Sequence, residues 1–348
     1  MSNVSKPKRH DSSSIGNCKT NSKLKGYAAL LPIIADGEFH SGQAIAEQLD
    51  ISRAAIWKSI RHLESLGLQI EAVRGRGYRL ENKIELLSEK GIKKSLSPIA
   101  RNSCNKLVVL FKTESTSSFL LNRLSFEKSH GNAVLAEYQS NGRGRRGNQW
   151  VSPLASGVCV SVAWHFEIAP NALGLLSLYM GVATARTLSA LGLTDVGLKW
   201  PNDVVINDKK LGGILLELRG EASGPVDVII GIGINYDLPD FVISDIDQAV
   251  TDICSLSKKR LSRNKIVATL LSNIFEILEE LQLGAGSSLL DEWRQYDQSV
   301  GRRAKLILPD KEIEGILNGV DNQGALLMTI NGQQKSFTSG EVSLRVQK

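Results

Sequence analysis

The middle of the chain, residues 83–297, alternates short apolar segments with turn residues, and this pattern constrains the fold more than any other feature. Two of its segments have the length and apolar periodicity of long helices, and each ends just before a glycine: 173–191 and 265–283. Apolar segments of strand length lie at 107–111, 133–137, 157–164, 204–206, 214–218 and 226–230. Many strands joined by short turns, with few long helices, predict an α+β domain with a mixed or antiparallel sheet.

The preceding segment, residues 27–82, has three short helical patterns followed by a predicted hairpin at 68–80. Pro32 should kink or shorten the first helix, and Ser52 is a plausible N-cap of the third. This order is typical of a winged helix-turn-helix, which places one helix in the major groove of DNA and its hairpin on phosphate. A small helical protein–protein module is the alternative. The residues predicted to meet DNA are the cap and five cations: Ser52, Arg53, Lys58, Arg61, Arg74 and Arg76.

The two ends of the chain differ from its middle. Residues 1–26 hold six Lys or Arg, one Asp and few apolar residues, which predicts a disordered basic tail. This tail supplies most of the formal net charge of +6, whereas residues 27–80 hold six basic and six acidic side chains. The predicted DNA-binding module therefore has no net charge, and a basic surface on it would depend on where its cations lie. Residues 298–348 contain short strands separated by turns such as Asn331-Gly332, which favours a small β-barrel.

Composition argues against several classes of protein. No apolar segment approaches the roughly 18–20 residues of a membrane span, and the first residues lack the apolar segment of a secretory signal. The four cysteines are far apart, without a C-x-x-C pair, which is typical of free thiols in a reducing cytoplasm. The five histidines form no metal motif. We expect a cytoplasmic protein without a zinc site or a membrane partner.

A glycine- and arginine-rich motif occupies residues 142–147. It formally matches the dinucleotide fingerprint, but that fingerprint must open a helix directly after a strand. Here the following residues reach Pro153 without helical periodicity. We therefore predict a flexible loop that brings the guanidinium groups of Arg143, Arg145 and Arg146 to an anion. A solvated basic loop is the alternative.

Further segments carry polar groups or glycines close to predicted strands. Hydroxyls and an amide at strand ends can bind a neutral polar head group, and glycines let a flat ligand approach the backbone. Each segment also has an ordinary alternative, namely a helix N-cap, a strand bulge or a surface lysine. The segments are 115–117, 137–139, 199–203, 210–215 and 231–235. The sequence contains no Walker A motif and no Gly-x-Ser-x-Gly elbow.

Taken together, these segments resemble the biotin protein ligases, in the bacterial bifunctional form that also represses the biotin operon. The resemblance covers nearly all of residues 27–348 and depends on an ordered set of strings. These are Ser-Arg-Ala-Ala-Ile-Trp-Lys (52–58), Glu-Ser-Thr (114–116), Ala-Glu-Tyr-Gln (136–139), Gly-Arg-Gly-Arg-Arg-Gly (142–147), Lys-Trp-Pro-Asn-Asp (199–203), Lys-Leu-Gly-Gly-Ile-Leu (210–215) and Gly-Ile-Gly-Ile-Asn (231–235).

The resemblance implies a multidomain α+β architecture. After the tail at 1–26, a winged helix-turn-helix DNA-binding domain would span 27–82. The catalytic domain at 83–297 would have the biotin/lipoate ligase fold, a mixed sheet with helices related to class II aminoacyl-tRNA synthetases. A small SH3-like β-barrel would span 298–348.

The resemblance also implies an activity. The family uses ATP and Mg²⁺ to activate biotin to biotinyl-5′-AMP, and then transfers the acyl group to one lysine of a biotin carboxyl carrier protein. No protein nucleophile is needed, which agrees with the absence of a catalytic Ser, Cys or His signature. A homodimer that forms when biotinyl-adenylate is bound would place two winged helices on operator DNA.

Site residues follow by similarity. The biotin head group would be held by Ser115, Thr116, Ser117 and Gln139. Arg143, Gly144 and Arg145 would belong to the biotin loop, and Lys210 would meet the biotin carboxylate. The nucleotide would contact Arg146, Trp150, Lys199, Asn202, Asp203, Gly231, Gly233 and Asn235, with Trp150 covering the adenine and Asp203 near the metal.

Two rival functions stay open from the sequence. A lipoate or octanoate ligase of the same superfamily would share most of these segments. A DNA-binding sensor that binds biotin without catalysis is the other, although the cations of the nucleotide and biotin segments argue against it. The sequence departs from the pattern at Ser117, where some relatives have Asn, and we expect this difference to tune biotin binding.

Overall fold

The structure is a computed structural model that describes residues 26–123, 129–167, 173–220, 224–308, 311–338 and 343–346. The predicted basic tail lies outside these ranges except for its last residue. Within the described residues, no helix is long and apolar enough to cross a bilayer. Cys104, Cys159 and Cys254 are free thiols.

The N-terminal module consists of three helices and a two-stranded hairpin, which confirms the winged-helix prediction. Its elements are α1 (Tyr27–Ile34), α2 (Gly42–Leu49), α3 (Arg53–Ser65), β1 (Ile70–Val73) and β2 (Gly77–Leu80). The hydroxyl oxygens of Ser41 and Ser52 cap α2 and α3 by accepting from the backbone N–H groups of Ala44 and Ala55. Helix α1 ends two residues after Pro32, in agreement with the expected shortening.

The central domain is built on a mixed sheet of eight strands within the described residues, as the alternation of short apolar segments predicts. Strands β3 and β4 pair in parallel, and the other neighbouring pairs are antiparallel. The spatial order is β3-β4-β6-β10-β9-β8-β7, with β5 paired to β4. The strands are β3 (Lys106–Thr113), β4 (Asn132–Arg143), β5 (Gln149–Ser152), β6 (Gly157–Phe166), β7 (Val196–Lys199), β8 (Asp203–Ile206), β9 (Lys209–Gly220) and β10 (Val226–Asn235).

The two faces of this sheet are covered differently. Helices α7 and α10 pack against each other and cover one face, where they form the main hydrophobic core. The short helix α6 packs on the other face, against Val134, Ala163 and Ile229, and leaves the rest of that face open for a site. The helices are α4 (Glu89–Ser95), α5 (Pro98–Ser103), α6 (Thr116–Leu121), α7 (Leu176–Ala190), α8 (Asp240–Asp245), α9 (Ile253–Leu256), α10 (Arg263–Gln282) and α11 (Ser287–Tyr296).

Parts of the central domain differ from the sequence prediction. The short strands β5 and β7, of four residues each, were not predicted. The 142–147 segment is no open loop: it begins inside β4, passes through a 3₁₀ turn at Arg145–Gly147 and returns as β5. Gly231 and Gly233 lie inside β10 and not beyond its end, since the buried isoleucines that alternate with them keep the strand pattern.

The C-terminal part is a small antiparallel sheet with the order β14-β13-β12-β11-β15. In the described residues its two outermost strands are not paired, so the pairing does not close into the ring of a complete barrel. Trp200 Nε1 donates to the Gly324 carbonyl oxygen at 3.0 Å, and Arg302 pairs with Asp208 at 2.5 Å, which fixes this sheet to the central domain. The strands are β11 (Arg303–Ile307), β12 (Glu312–Val320), β13 (Leu326–Ile330), β14 (Gln333–Phe337) and β15 (Ser343–Val346).

A buried ion pair joins the central strands to the segment that follows the winged helix. Arg263, with none of its side chain exposed, donates to Glu137 Oε2 at 2.7 Å. The same guanidinium donates to the carbonyl oxygens of Glu85 and Gly157, and Glu137 Oε1 accepts from the Leu87 N–H. The pair therefore holds together the connecting segment, α10, β4 and β6.

Candidate active site

A cavity of about 980 Å³ lies on the α6 side of the central sheet and extends to the C-terminal sheet. Segments that are far apart in the sequence meet in its walls. With one exception, every residue predicted to bind biotin or the nucleotide lines it. These residues are Ser115, Thr116, Ser117, Gln139, Arg143, Gly144, Arg145, Arg146, Trp150, Lys199, Asn202, Asp203, Lys210, Gly231 and Gly233.

One end of the cavity has a polar floor that is already hydrogen-bonded. Thr116 donates from its backbone N–H to Gln139 Oε1 at 2.8 Å, and its hydroxyl lies 2.7 Å from the Ser161 hydroxyl. The Ser117 hydroxyl is 3.0 Å from that of Ser161. Ser115 caps α6, as its N-cap interpretation predicted, and it also lines the cavity. All five side chains are buried, and their fixed hydroxyls and amide can present donors and acceptors to a polar head group.

The indole of Trp150 lines the cavity and lies close to glycine backbone. A Cβ atom placed on Gly233 would come within 2.5 Å of the Trp150 ring, and one on Gly213 within 3.6 Å. The predicted close approach of a flat group to these glycines is therefore made by the protein's own Trp150. A Cβ on Gly231 would lie 2.7 Å from the Ser117 hydroxyl, so this glycine keeps the head-group end open.

The arginine-rich motif forms the rim of the cavity as a hairpin. Arg143 Nη2 pairs with Glu217 Oε1 at 2.6 Å, and Arg145 Nη1 donates to Asn202 Oδ1 at 3.3 Å. Arg146 has the left-handed backbone conformation, with φ 58°, and its side chain is exposed. The hairpin thus directs its three guanidinium groups to different places, which reduces their mutual repulsion.

Another part of the cavity wall carries the ammonium of Lys210 in contact with the carboxylate of Asp203. Lys210 Nζ is 2.7 Å from Asp203 Oδ1, and each side chain is less than one fifth exposed. The Lys210 ammonium also lies 5.9 Å from the centre of the Trp150 ring. The backbone of Lys210 is fixed by bonds from its N–H to the Ala249 carbonyl and from the Thr251 N–H to its own carbonyl. Lys210 is therefore a positioned cation in the wall of the cavity.

Two further cations of the cavity have perturbed pKa values. Burial lowers the pKa of the Lys199 ammonium, and the nearby Asp203 carboxylate opposes this shift. Burial likewise lowers the pKa of the Arg145 guanidinium, again against the effect of Asp203. Both groups lie in a region of reduced dielectric, where a charge acts more strongly on a bound anion.

Asn235 is the predicted ligand residue that does not line the cavity. Its side chain is buried below the wall, and its Nδ2 donates to the carbonyl oxygens of Thr251 at 3.0 Å and of Lys210 at 3.4 Å. Asn235 therefore supports the backbone of Lys210 and does not face a ligand. Its position at the end of β10 could be predicted from the sequence, but the direction of its side chain could not.

Several cavity residues were missed by the sequence analysis. Ser161 lies at the centre of the floor network, and its signal was a lone polar residue in the apolar segment 157–164. Glu217 of β9 lies outside the cavity lining but pairs with Arg143 of the rim, and it had no motif to mark it. Arg302 and Arg345 reach the cavity from the C-terminal sheet, where sequence spacing gives no sign of a site.

The cavity also contains oxygen groups of the kind that bind Mg²⁺. This ion prefers oxygen ligands, and it is commonly held by one or two carboxylates together with substrate phosphates. Asp203 provides one such carboxylate, with the Asn202 amide oxygen beside it in the chain. In the part of the chain that the structure describes, no group of three His, Cys, Asp or Glu could hold a metal alone. The residues therefore fit a Mg²⁺ that arrives with a nucleotide.

The predicted DNA-contacting residues are all exposed on the surface of the N-terminal module. Arg53, Lys58 and Arg61 are exposed on α3, and Arg74 and Arg76 are exposed in the turn between β1 and β2. Among the contacts of these cations, Arg61 pairs with Glu64, and Arg76 stacks on the Phe39 ring at 3.9 Å. Ser52 acts as the cap of α3, where its hydroxyl accepts from Ala55.

Each of the three parts of the structure matches a known family model. The biotin/lipoate A/B protein ligase family model matches residues 110–235. An HTH domain model matches residues 29–79, and the biotin protein ligase C-terminal domain model matches residues 300–345. The three matches follow the order of the three parts described above.

Whole proteins with the same arrangement are also similar. The bifunctional ligase/repressor BirA of Escherichia coli (strain K12) is 39% identical over 316 residues, which cover 91% of this chain and 96% of that protein. The protein of the same name from Bacillus subtilis (strain 168) is 30% identical over 316 residues, covering 89% and 95%. A biotin protein ligase from Aquifex aeolicus, solved in complex with biotin and ATP, superposes with a TM-score of 0.59 at 27% identity, over 70% of this chain and 100% of that one.

Proposed function

This chain belongs to the family of bifunctional biotin ligases and repressors, and we propose that it activates biotin with ATP and transfers it to a lysine of a biotin carboxyl carrier protein. The observation that carries the proposal is that separate sequence segments bring buried hydroxyls, placed cations and open glycine backbone into one cavity. Fold alone does not give a function, and it is this set of side chains that supports the assignment.

The polar floor suits the head group of biotin. The ureido ring carries two N–H donors and a carbonyl acceptor, and it is neutral. Ser115, Thr116, Ser117 and Gln139 offer hydroxyl and amide groups of both kinds in a buried place. Hydrogen bonds to one another or to Ser161 hold Thr116, Ser117 and Gln139 in position before the ligand arrives, and this reduces the entropy lost on binding.

The cations allow two anions to react. In the first step an oxygen of the biotin carboxylate attacks the α-phosphorus of ATP, and pyrophosphate leaves. Lys210, Arg143 and Arg145 would offset the repulsion between carboxylate and triphosphate and stabilise the charge that develops in the transition state. Because the groups are already placed in the cavity, little reorganisation is needed during the reaction.

The nucleotide would occupy the other end of the cavity. Trp150, which lies against the backbone of Gly233, provides an aromatic surface for the adenine. Lys199, Asn202 and Arg146 line the wall where phosphates would lie. Asp203 would hold a Mg²⁺ that accompanies ATP, and this ion would supply charge neutralisation for the phosphates.

The second step needs no nucleophile from this chain. The ε-amine of a carrier lysine attacks the acyl carbonyl of biotinyl-5′-AMP, an amide forms, and AMP leaves. Until then the mixed anhydride must be kept from water, and the β4–β5 hairpin covers the cavity from one side.

The N-terminal module extends the proposal to regulation in the cytoplasm. Binding of biotinyl-5′-AMP would favour a homodimer, and a two-fold dimer would place two α3 helices on a palindromic operator. The exposed cations of α3 and of the β1–β2 turn support this role. Gel-shift experiments should show operator binding that is strengthened by biotin together with ATP, and equal binding without them would contradict the switch.

Pyrophosphate exchange tests the enzymatic proposal directly. The full chain should incorporate labelled pyrophosphate into ATP only when biotin is present, and it should biotinylate a purified carrier domain. Lipoate and octanoate serve as competing substrates in parallel reactions. Exchange with lipoate but not with biotin would contradict the assignment and would favour the related lipoate ligases.

A further inference from the structure

The ion pair between Arg143 and Glu217 crosses the open face of the central sheet. Arg143 ends β4 and Glu217 lies in β9, and two strands, β6 and β10, separate β4 from β9 in the sheet. Three strand spacings amount to about 14 Å, too far for the two side chains to meet within the sheet. They meet because β4 leaves β6 after Ala136 and continues as a hairpin with β5.

The pair lies beside the head-group end of the cavity. Glu217 is in register with Ile229, and the next pair on the same face of β9 and β10 is Leu215 and Gly231. Gly231 in turn is in register with Ser161 of the floor network. Arg143 also donates from Nη1 to the Ser118 hydroxyl of α6 at 3.4 Å. The Arg143 side chain thus connects the hairpin, α6 and β9 around the predicted biotin site.

Glu217 is an unusual residue for this place in the sheet. Its side chain is 18% exposed, whereas that of Arg143 is 43% exposed. Its second oxygen, Oε2, is buried and has no hydrogen-bond partner among the described residues. Leaving a carboxylate oxygen unsatisfied is unfavourable, so packing does not explain an acidic residue here. The other oxygen of Glu217, Oε1, pairs with Arg143, and Arg143 lies at the rim of the cavity.

We propose that Glu217 is a positioning residue, which holds Arg143 and with it the β4–β5 hairpin over the bound acyl-adenylate. This proposal rests on the proposed biotin ligase function. The hairpin carries three guanidinium groups, and Glu217 neutralises that of Arg143 by direct contact. Without this carboxylate, Arg143 would lose its direction and the reactive intermediate would escape more readily.

Glu217→Gln is the informative change, because it keeps the size of the side chain and removes its charge. We expect the KM for biotin in pyrophosphate exchange to rise about fivefold and release of biotinyl-5′-AMP to become about fivefold faster, as suits a partly exposed ion pair. The kcat for exchange should fall as well, by about fivefold, because Glu217 holds Arg143, which is one of the cations that stabilise the transition state. Glu312→Gln, which removes the exposed pair with Lys305, is the matched control and should change none of these values.

A double-mutant cycle separates positioning from a general structural role. In a chain that already carries Arg143→Ala, adding Glu217→Gln should have no further effect on the KM or on the release rate. The proposal is overturned if Glu217→Gln alone changes neither quantity, or if its effect is the same with and without Arg143. Failure of the underlying function would look different, since the unaltered chain would then show no biotin-dependent exchange.

Discussion

The catalytic cavity and the DNA-binding surface both depend on basic side chains, but they hold them in opposite ways. In the cavity, Lys210 contacts Asp203 and Arg143 contacts Glu217, so the cations are partnered and partly buried. On the N-terminal module, Arg53 and Lys58 are exposed on the outer face of α3. The cavity is therefore organised before its ligand binds, whereas the surface is a set of solvated charges that a partner would organise.

This difference has an energetic meaning. Buried, partnered charges contribute strongly to a reaction because the surrounding dielectric is low and reorganisation is small. Exposed charges contribute mainly through the release of counterions from DNA, which makes binding depend on salt. Substitutions in the two regions should therefore differ both in size and in the quantity that they change.

The largest effect is expected on stability, at the buried ion pair between Arg263 and Glu137. Arg263→Ala should lower the free energy of unfolding by about 3–5 kcal/mol, because it leaves Glu137 buried without its cation. Urea unfolding followed by fluorescence measures this loss. Arg53→Ala on the exposed face of α3 is the control and should change stability by less than about 0.5 kcal/mol. Equal losses of stability in the two variants would contradict the difference between buried, partnered cations and exposed cations.

The next largest effect is expected inside the cavity. Lys210→Ala should slow biotin-dependent pyrophosphate exchange by roughly 10²–10³-fold, which corresponds to about 3–4 kcal/mol of lost transition-state stabilisation. The neighbouring Lys209 is exposed, so Lys209→Ala is a matched control that should leave exchange unchanged. Exchange at the normal rate in the Lys210 variant would remove this lysine from the catalytic assignment.

A smaller effect is expected from the floor network. Ser161→Ala removes a partner of the Thr116 and Ser117 hydroxyls, and about 1–2 kcal/mol is expected for such a loss. The KM for biotin should rise roughly 5–30-fold, with a weaker change in kcat. Steady-state exchange kinetics distinguish the two parameters, and Ser140→Ala, at an exposed serine, provides the reference. An unchanged KM would show that the head group does not use this network.

The smallest effect is expected at the DNA surface. Lys58→Ala should weaken operator binding to a similar degree on all sequences and reduce the slope of log affinity against log salt by about 1. A titration of binding at several salt concentrations gives this slope. Pyrophosphate exchange should be unaffected, and Lys94→Ala, an exposed lysine outside this module, should change neither quantity. A sequence-dependent loss would instead indicate that Lys58 contacts a base edge.

The sequence was most informative where a function depends on local order. The winged helix was predicted because its apolar spacing, its serine caps and its basic helix face are all local properties. The strings predicted to bind ligands were likewise recognised from short segments, and all their predicted site residues except Asn235 line the cavity. Local patterns therefore predicted which segments carry the site.

Long-range contacts were harder to predict, for a physical reason. Glu217 meets Arg143 only because β4 leaves its partner strand, and no periodicity in either segment reports that event. The direction of Asn235 depends on the backbone of Lys210 and Thr251, which a neighbouring strand and a distant loop bring together. That Trp150 itself lies over the glycines likewise follows from the return of β5 along β4.

The C-terminal sheet has a consequence for the biosynthesis of the protein. Leu344, Arg345 and Val346 of β15 line the same cavity as the central sheet, but the ribosome makes them long after β10. While synthesis is in progress, the growing chain already contains the polar floor and Lys210 but lacks this part of the wall. The order of translation thus sets the moment at which the pocket is complete, and it separates folding of the central sheet from completion of the active enzyme.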